Sequence, residues 1–154
     1  MQTGDLVPDF ELTADDGKPL RLTEQLLHGP VVLFFYPRAM TPGCTAESCN
    51  FRDLAKDFDT LGAQPIGISL DSVERQQRFA AKHSFGYPLL SDKGGTVARL
   101  FGVKRPGLPF TKRTTFVIDT DRRVLAAIHS EFDTDRHADE ALAVLRSRPG
   151  AAPA

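Results

Sequence analysis

Apolar positions along the chain follow two rhythms. "VVLFFY", Val31 to Tyr36, is a continuous apolar, β-branched and aromatic run. It predicts a strand buried on both faces of a sheet. "PIGISL", Pro65 to Leu70, predicts another. In "DFELTADDGKPLRL" two short segments flank an Asp-Asp-Gly-Lys turn, so an N-terminal β-hairpin is expected. Phe51, Leu54, Ala55, Phe58 and Leu61 recur at helical spacing and predict one helix that stops at Gly62. "DSVERQQRFAAKHSFG" reads as an amphipathic helix, capped by Asp71 or Ser72 and ended near Gly86. Beyond it, "PLLSD" is a short strand and "GTVARLFGV" a short helix. "RTTFVID" and "RVLAAIH" form a strand pair around "TDR", and "DTDRHADEALAVLRSR" is a closing helix.

Strands alternating with helices, then a hairpin and a last helix, predict an α/β three-layer sandwich: a central mixed sheet flanked by helices. The middle units resemble a thioredoxin-like fold. With 154 residues, one domain over 1–148 is expected. The tail "PGAAPA", 149–154, has nothing to bury and is expected to fray.

Composition narrows the function. A formal net charge of −1 gives no support to nucleic-acid binding. No apolar run approaches the roughly 20 residues that cross a bilayer, so no membrane role is expected. The start, "MQTGDLVPDFEL", lacks a basic segment and an apolar core, which predicts no signal peptide and a cytoplasmic setting. In that reducing compartment cysteine pairs are usually redox-active or metal-binding.

The chain has two cysteines, both in "PRAMTPGCTAESCNF" after the first buried strand. Thr41 suits a helix N-cap and Pro42 the first helical position, which puts Cys44 in the first turn. Unpaired backbone N–H groups and the helix dipole favour negative charge there, and the thiolate is the reactive form. Free cysteine is often a small buried hydrophobe. However, a turn after a buried strand is where α/β proteins place ligand sites. Cys49 lies five residues on; in a regular helix that is about 140° of rotation and about 7.5 Å of rise. The Cα atoms would then stand roughly 8.7 Å apart, beyond disulfide reach. Either the pair never bonds or the helix start unwinds to let it. The spacing is not C-x-x-C, which speaks against a thioredoxin-type dithiol. His28, His83, His129 and His137 are scattered, which speaks against zinc.

Pro37 to Cys44, "PRAMTPGC", fits the P-x-x-x-T-x-x-C pattern of peroxiredoxins. "TPGCTAESCNFRD" resembles the peroxiredoxin Q group, or bacterioferritin comigratory proteins. "VPDFEL", "PIGISLDS", "FAAKHSFGYPLLSD" and "RTTFVIDTDRRV" agree with that group in order and spacing. The resemblance implies a monomeric, cofactor-free and metal-free thiol peroxidase acting on hydrogen peroxide and organic hydroperoxides. It implies Cys44 as peroxidatic cysteine and Cys49 as resolving cysteine, joined as an intramolecular disulfide and recycled by thioredoxin or a similar dithiol. Thr41 would hydrogen-bond thiolate and peroxide, Pro37 and Pro42 would wall the pocket, and Arg113 would stand beside the thiolate. Glu47 and Tyr36 match family residues too, but an exposed helix charge and a strand-end aromatic explain them equally well. "RAM" departs from a more usual Lys-Asp-Met, and "KRPGLPFTKR" is unusually rich in proline. The alternatives are a thiol–disulfide oxidoreductase or a non-enzymatic redox sensor on the same fold.

Overall fold

The computed structural model describes residues 1–148. The expected tail, 149–154, lies outside them. In chain order the elements are β1 (Glu11–Ala14), β2 (Pro19–Arg21), α1 (Leu22–Leu26), β3 (Val31–Phe35), α2 (Pro42–Asp53), α3 (Ala55–Thr60), β4 (Gln64–Ser69), α4 (Val73–His83), β5 (Leu89–Ser91), α5 (Thr96–Leu100), β6 (Thr114–Ile118), β7 (Val124–His129) and α6 (Asp135–Ser147). The strands form one mixed sheet in the order β2-β1-β5-β4-β3-β6-β7. β3, β4 and β5 run parallel, and β6 joins β3 antiparallel. The N-terminal hairpin does not stand apart, because β1 also pairs with β5.

Alternation along β3 divides the core. Val31, Leu33 and Phe35 face α1 and α5, packing with Leu22, Leu26, Val97 and Phe101. Val32, Phe34 and Tyr36 face the other helices, packing with Phe51, Phe58, Phe79 and Leu142. Successive strand residues point to opposite faces, so an unbroken apolar run is what a doubly covered strand needs.

Two helices differ from expectation. The helix expected through Leu61 breaks at Leu54, whose φ of −97° and ψ of 11° end α2 and begin α3. On a straight helix the Cα atoms of Phe51 and Phe58 would rise about 10.5 Å apart. The bend lets their rings stack with centroids 5.6 Å apart. Periodicity persists across one displaced residue, so it does not reveal the break. α4 starts at Ser72, whose hydroxyl accepts from Arg75 N at 3.2 Å. It ends at Ser84, in the left-handed region at φ 51°, rather than near Gly86.

Candidate active site

β3 delivers the chain to a short loop, residues 36–41, and α2 begins behind it. Thr41 takes the N-cap position and Pro42 the first helical one. The Thr41 hydroxyl does not cap; it donates to Arg38 O at 2.8 Å and so tightens the loop. Asp71 and Arg75 pin that loop from the α4 side. Ala39 N donates to Asp71 Oδ2 at 2.8 Å, and Arg75 Nη2 donates to Ala39 O at 3.0 Å. Asp71 is thus a loop anchor, and Ser72 is the cap.

Cys44 is fully buried in the first turn of α2, within the core face that holds Phe34 and Phe51. It is also in polar company. Arg113 Nη2 donates to Cys44 Sγ at 3.4 Å, and the Arg38 amide donates to it at 3.5 Å. Both descriptions weighed from sequence therefore hold at once: core packing on one side, fixed donors on the other. Gly43 makes the arginine's approach possible, since a Cβ there would lie 3.1 Å from Arg113 Nη2.

Arg113 directly precedes β6 and points inward, whereas Lys112 is exposed, as strand alternation requires. Its Nη1 donates to Glu47 Oε1 at 2.9 Å and its Nε to Glu131 O at 3.2 Å. Its amide donates to Glu131 Oε2 at 2.8 Å. The guanidinium is thereby fixed in one orientation. Burial works against its charge, but Glu47 and the Cys44 sulfur outweigh this and hold it above its usual value. Burial likewise opposes charge on Glu131, but the Arg113 amide and Arg105 keep its carboxyl below the usual range.

Glu47 is a fully buried carboxyl, not an exposed helix charge. Burial pushes it up to about 8 in spite of the Arg113 guanidinium. Its second oxygen lies 3.5 Å from Nδ1 of the equally buried His137 on α6. His137 Nε2 faces Ser130 O at 2.8 Å, and Nδ1 faces the Thr115 hydroxyl at 2.8 Å. A carbonyl can only accept, so Nε2 carries the hydrogen and Nδ1 accepts from Thr115. Burial holds this imidazole low, hence neutral. Tyr36 is likewise a core residue, with its hydroxyl donating to Gln76.

Cys49 lies further along α2, half-buried, and both cysteines are free. Its Sγ is 3.9 Å from His83 Nδ1. Pro37 lines a surface cavity of about 310 Å³ together with Arg38, Pro109 and Phe110, so the proline-rich segment does reach the loop. Pro42 is exposed.

The structure thus brings Cys44, Arg113 and Glu47 together and places Thr41 and Pro37 on the adjoining loop. Cys49 lies on the same helix as Cys44. Sequence reasoning missed Glu131, His137 and the Cys49–His83 contact. His137 could have been found, since with Ala141 and Leu145 it falls on the apolar stripe of α6. Glu131, in an irregular loop, offered no signal. Among the described residues no group of three His, Cys, Asp or Glu could hold a metal ion.

A thioredoxin-like sheet with a cysteine at the start of the helix after its central strand, and a buried arginine at the sulfur, defines the class of cysteine-dependent peroxidases. The chain belongs to the AhpC/TSA family, whose model matches residues 3–127, and is a peroxiredoxin of the Q, or bacterioferritin comigratory, type. It is 61% identical over 150 residues to a Mycobacterium tuberculosis (H37Rv) protein whose name places it among the peroxiredoxins, covering 96% of this chain and 97% of that one. It resembles the crystal structure of peroxidoxin BcpB from M. tuberculosis with a TM-score of 0.93 and 59% identity, over 97% and 99% of the two chains. A structure of Xanthomonas campestris bacterioferritin comigratory protein, studied for its alkyl peroxide reduction, matches with a TM-score of 0.82 and 31% identity over 90% of each chain.

Proposed function

We propose that the chain reduces hydrogen peroxide and organic hydroperoxides through Cys44, with Cys49 as the resolving cysteine. The observation that carries this reading is the Arg113 guanidinium 3.4 Å from a sulfur in the first turn of a helix. The thiolate attacks the terminal oxygen of the hydroperoxide. An S–O bond forms, the O–O bond breaks, and the electron pair leaves on an alkoxide, or on hydroxide from hydrogen peroxide, which takes up the proton the thiol gave away. Arg113 and the Arg38 amide are fixed donors where that negative charge moves, so they need no reorganisation. Thr41 and Pro37 shape the mouth of the site.

The sulfenic acid at Cys44 condenses with Cys49 to an intramolecular disulfide. Both cysteines lie on one uninterrupted helix, so α2 must open for them to meet. Thioredoxin or a thioredoxin-like dithiol then restores the thiols. Alkyl peroxide reduction by the X. campestris relative supports the substrate class. We read residues 1–148 as one catalytic domain that works as a monomer in the reducing cytoplasm, where such a reductant is maintained. No described helix is long and apolar enough to cross a membrane.

Cys44→Ser decides the assignment. We expect it to abolish peroxide consumption coupled to thioredoxin, thioredoxin reductase and NADPH. Turnover retained by that variant would move the nucleophile elsewhere.

A further inference from the structure

Cys49 has a partner of its own. The His83 ring whose Nδ1 lies 3.9 Å from Cys49 Sγ belongs to the last residue of α4. That ring is held in place. It stacks on Phe85 at 5.4 Å and meets Phe79 edge-on at 5.6 Å. The His83 carbonyl accepts from Arg52 Nη1 of α2 at 2.8 Å. Tyr87, further along, donates its hydroxyl to Ser48 O at 2.7 Å. The end of α4 and the segment after it therefore grip the turn of α2 that carries Cys49 and aim a ring nitrogen at its sulfur. A phenylalanine would serve the stacking; only a histidine adds a proton acceptor at that point.

We propose that His83 is the base of the resolving step: its Nδ1 takes the thiol proton of Cys49 before α2 opens. This rests on the reading of Cys49 as resolving cysteine. The Cys49 sulfur then attacks the sulfur of the Cys44 sulfenic acid. The S–S bond forms, the S–O bond breaks, and the departing hydroxide takes up the proton that His83 removed, leaving as water. The Cys44 sulfur is reduced to the disulfide level and the Cys49 sulfur oxidised to it, so no outside oxidant or reductant enters.

The surroundings suit this role. Lys82 on the same helix and Arg52 on α2 are the cations facing the ring, and Arg52 also engages Asp53 at 3.0 Å. Burial first, then Lys82 and Arg52, hold the imidazole below its ordinary value, which leaves it neutral and free to accept at neutral pH.

Quenched-flow mass spectrometry on the full chain separates the two steps. Dimedone-trapped sulfenic acid reports the first, and loss of two hydrogens with an internal linkage reports the second. His83→Asn keeps a group that can hydrogen-bond Cys49 without taking its proton; His83→Ala leaves room for added imidazole. In both we expect the linkage to form roughly tenfold or more slowly at neutral pH, with sulfenic acid formation within about twofold of wild type. Imidazole is expected to speed the second step of His83→Ala only. Sulfenic acid formation doubles as the check on folding, and His83→Asn, the milder change, decides the matter should the alanine variant fail to fold. A wild-type linkage rate in either variant overturns the proposal, as does indifference of a folded His83→Ala to imidazole. Cys49→Ser keeps the underlying reading separate: were it still to form an intramolecular linkage, the resolving assignment falls and the base falls with it.

Discussion

At the scale of single residues, Glu47 is a buried carboxyl whose shift reaches neutral pH. Its folded value of about 8 lies above an ordinary carboxyl near 4.5. Between those values the folded chain binds the extra proton, so stability contributed by this group falls as pH rises, by up to about 1 kcal/mol per unit. His137 acts in the opposite sense below its ordinary 6.5, because burial keeps its folded form neutral. The clean window is therefore from about 6.5 to 8. Urea unfolding there should show wild-type stability declining with pH and Glu47→Gln nearly flat; equal slopes would mean that Glu47 is ionised throughout by Arg113. Gly43 gives a second test, because a methyl group 3.1 Å from Arg113 Nη2 must push the guanidinium off the sulfur by a few tenths of an ångström. Misplacement on that scale suffices to slow chemistry, so Gly43→Ala should lower the peroxide rate roughly tenfold with little change in stability. A wild-type rate in stopped flow would show that the contact is not needed. The sequence carried part of this. Cys44, Glu47, Phe51 and Phe58 share one 3-4 spacing, which is the buried face, but a glutamate read equally well as an exposed helix charge. What the spacing could not convey is that a carboxyl on that face would find the arginine just before β6, 66 residues away in sequence.

At the scale of the element, the proposed mechanism makes α2 both scaffold and moving part. On that reading it holds the nucleophile while intact and opens for the sulfurs to meet. Two clamps, one at the end of α4 and one beyond it, oppose opening: Arg52 to His83 O and Tyr87 to Ser48 O. A buried hydrogen bond of this kind is worth about 1 kcal/mol, which is about a fivefold change in an opening equilibrium. Tyr87→Phe should accordingly lower amide-exchange protection over residues 48–52 and speed disulfide formation about fivefold, with sulfenic acid formation unchanged. Unaltered exchange would place the barrier elsewhere, at the Thr41–Arg38 end. The strand and helix order was readable because it follows local periodicity. The break at Leu54 was not, because it answers to the stacking of Phe51 on Phe58, and the left-handed turn at Ser84 has no glycine to mark it.

At the scale of the molecule, the sheet separates two cores, and β3 feeds both. Phe35 faces Phe101 and Phe116, with ring centroids at 5.2 and 5.9 Å. Phe34 faces the working side, stacked on Phe51 of α2 at 4.1 Å and edge-on to Tyr87 at 5.6 Å. From sequence both are simply members of "VVLFFY"; which face carries the site depends on where α2 and α4 land, a consequence of topology rather than of the run itself. Replacing either phenylalanine by leucine removes similar apolar volume and leaves a small void, a loss of about 1 kcal/mol or more. The two variants should lose comparable stability in urea yet differ in chemistry. Phe34→Leu loosens the packing of α2 against β3, so the disulfide should form severalfold faster. It should also leave the sulfenic acid less time for irreversible over-oxidation. Phe35→Leu, packed against α5 and β6 on the far face, should keep wild-type disulfide kinetics. Equal acceleration in both would mean that α2 opening tracks global stability, with the two faces of the sheet energetically coupled through β3 rather than independent.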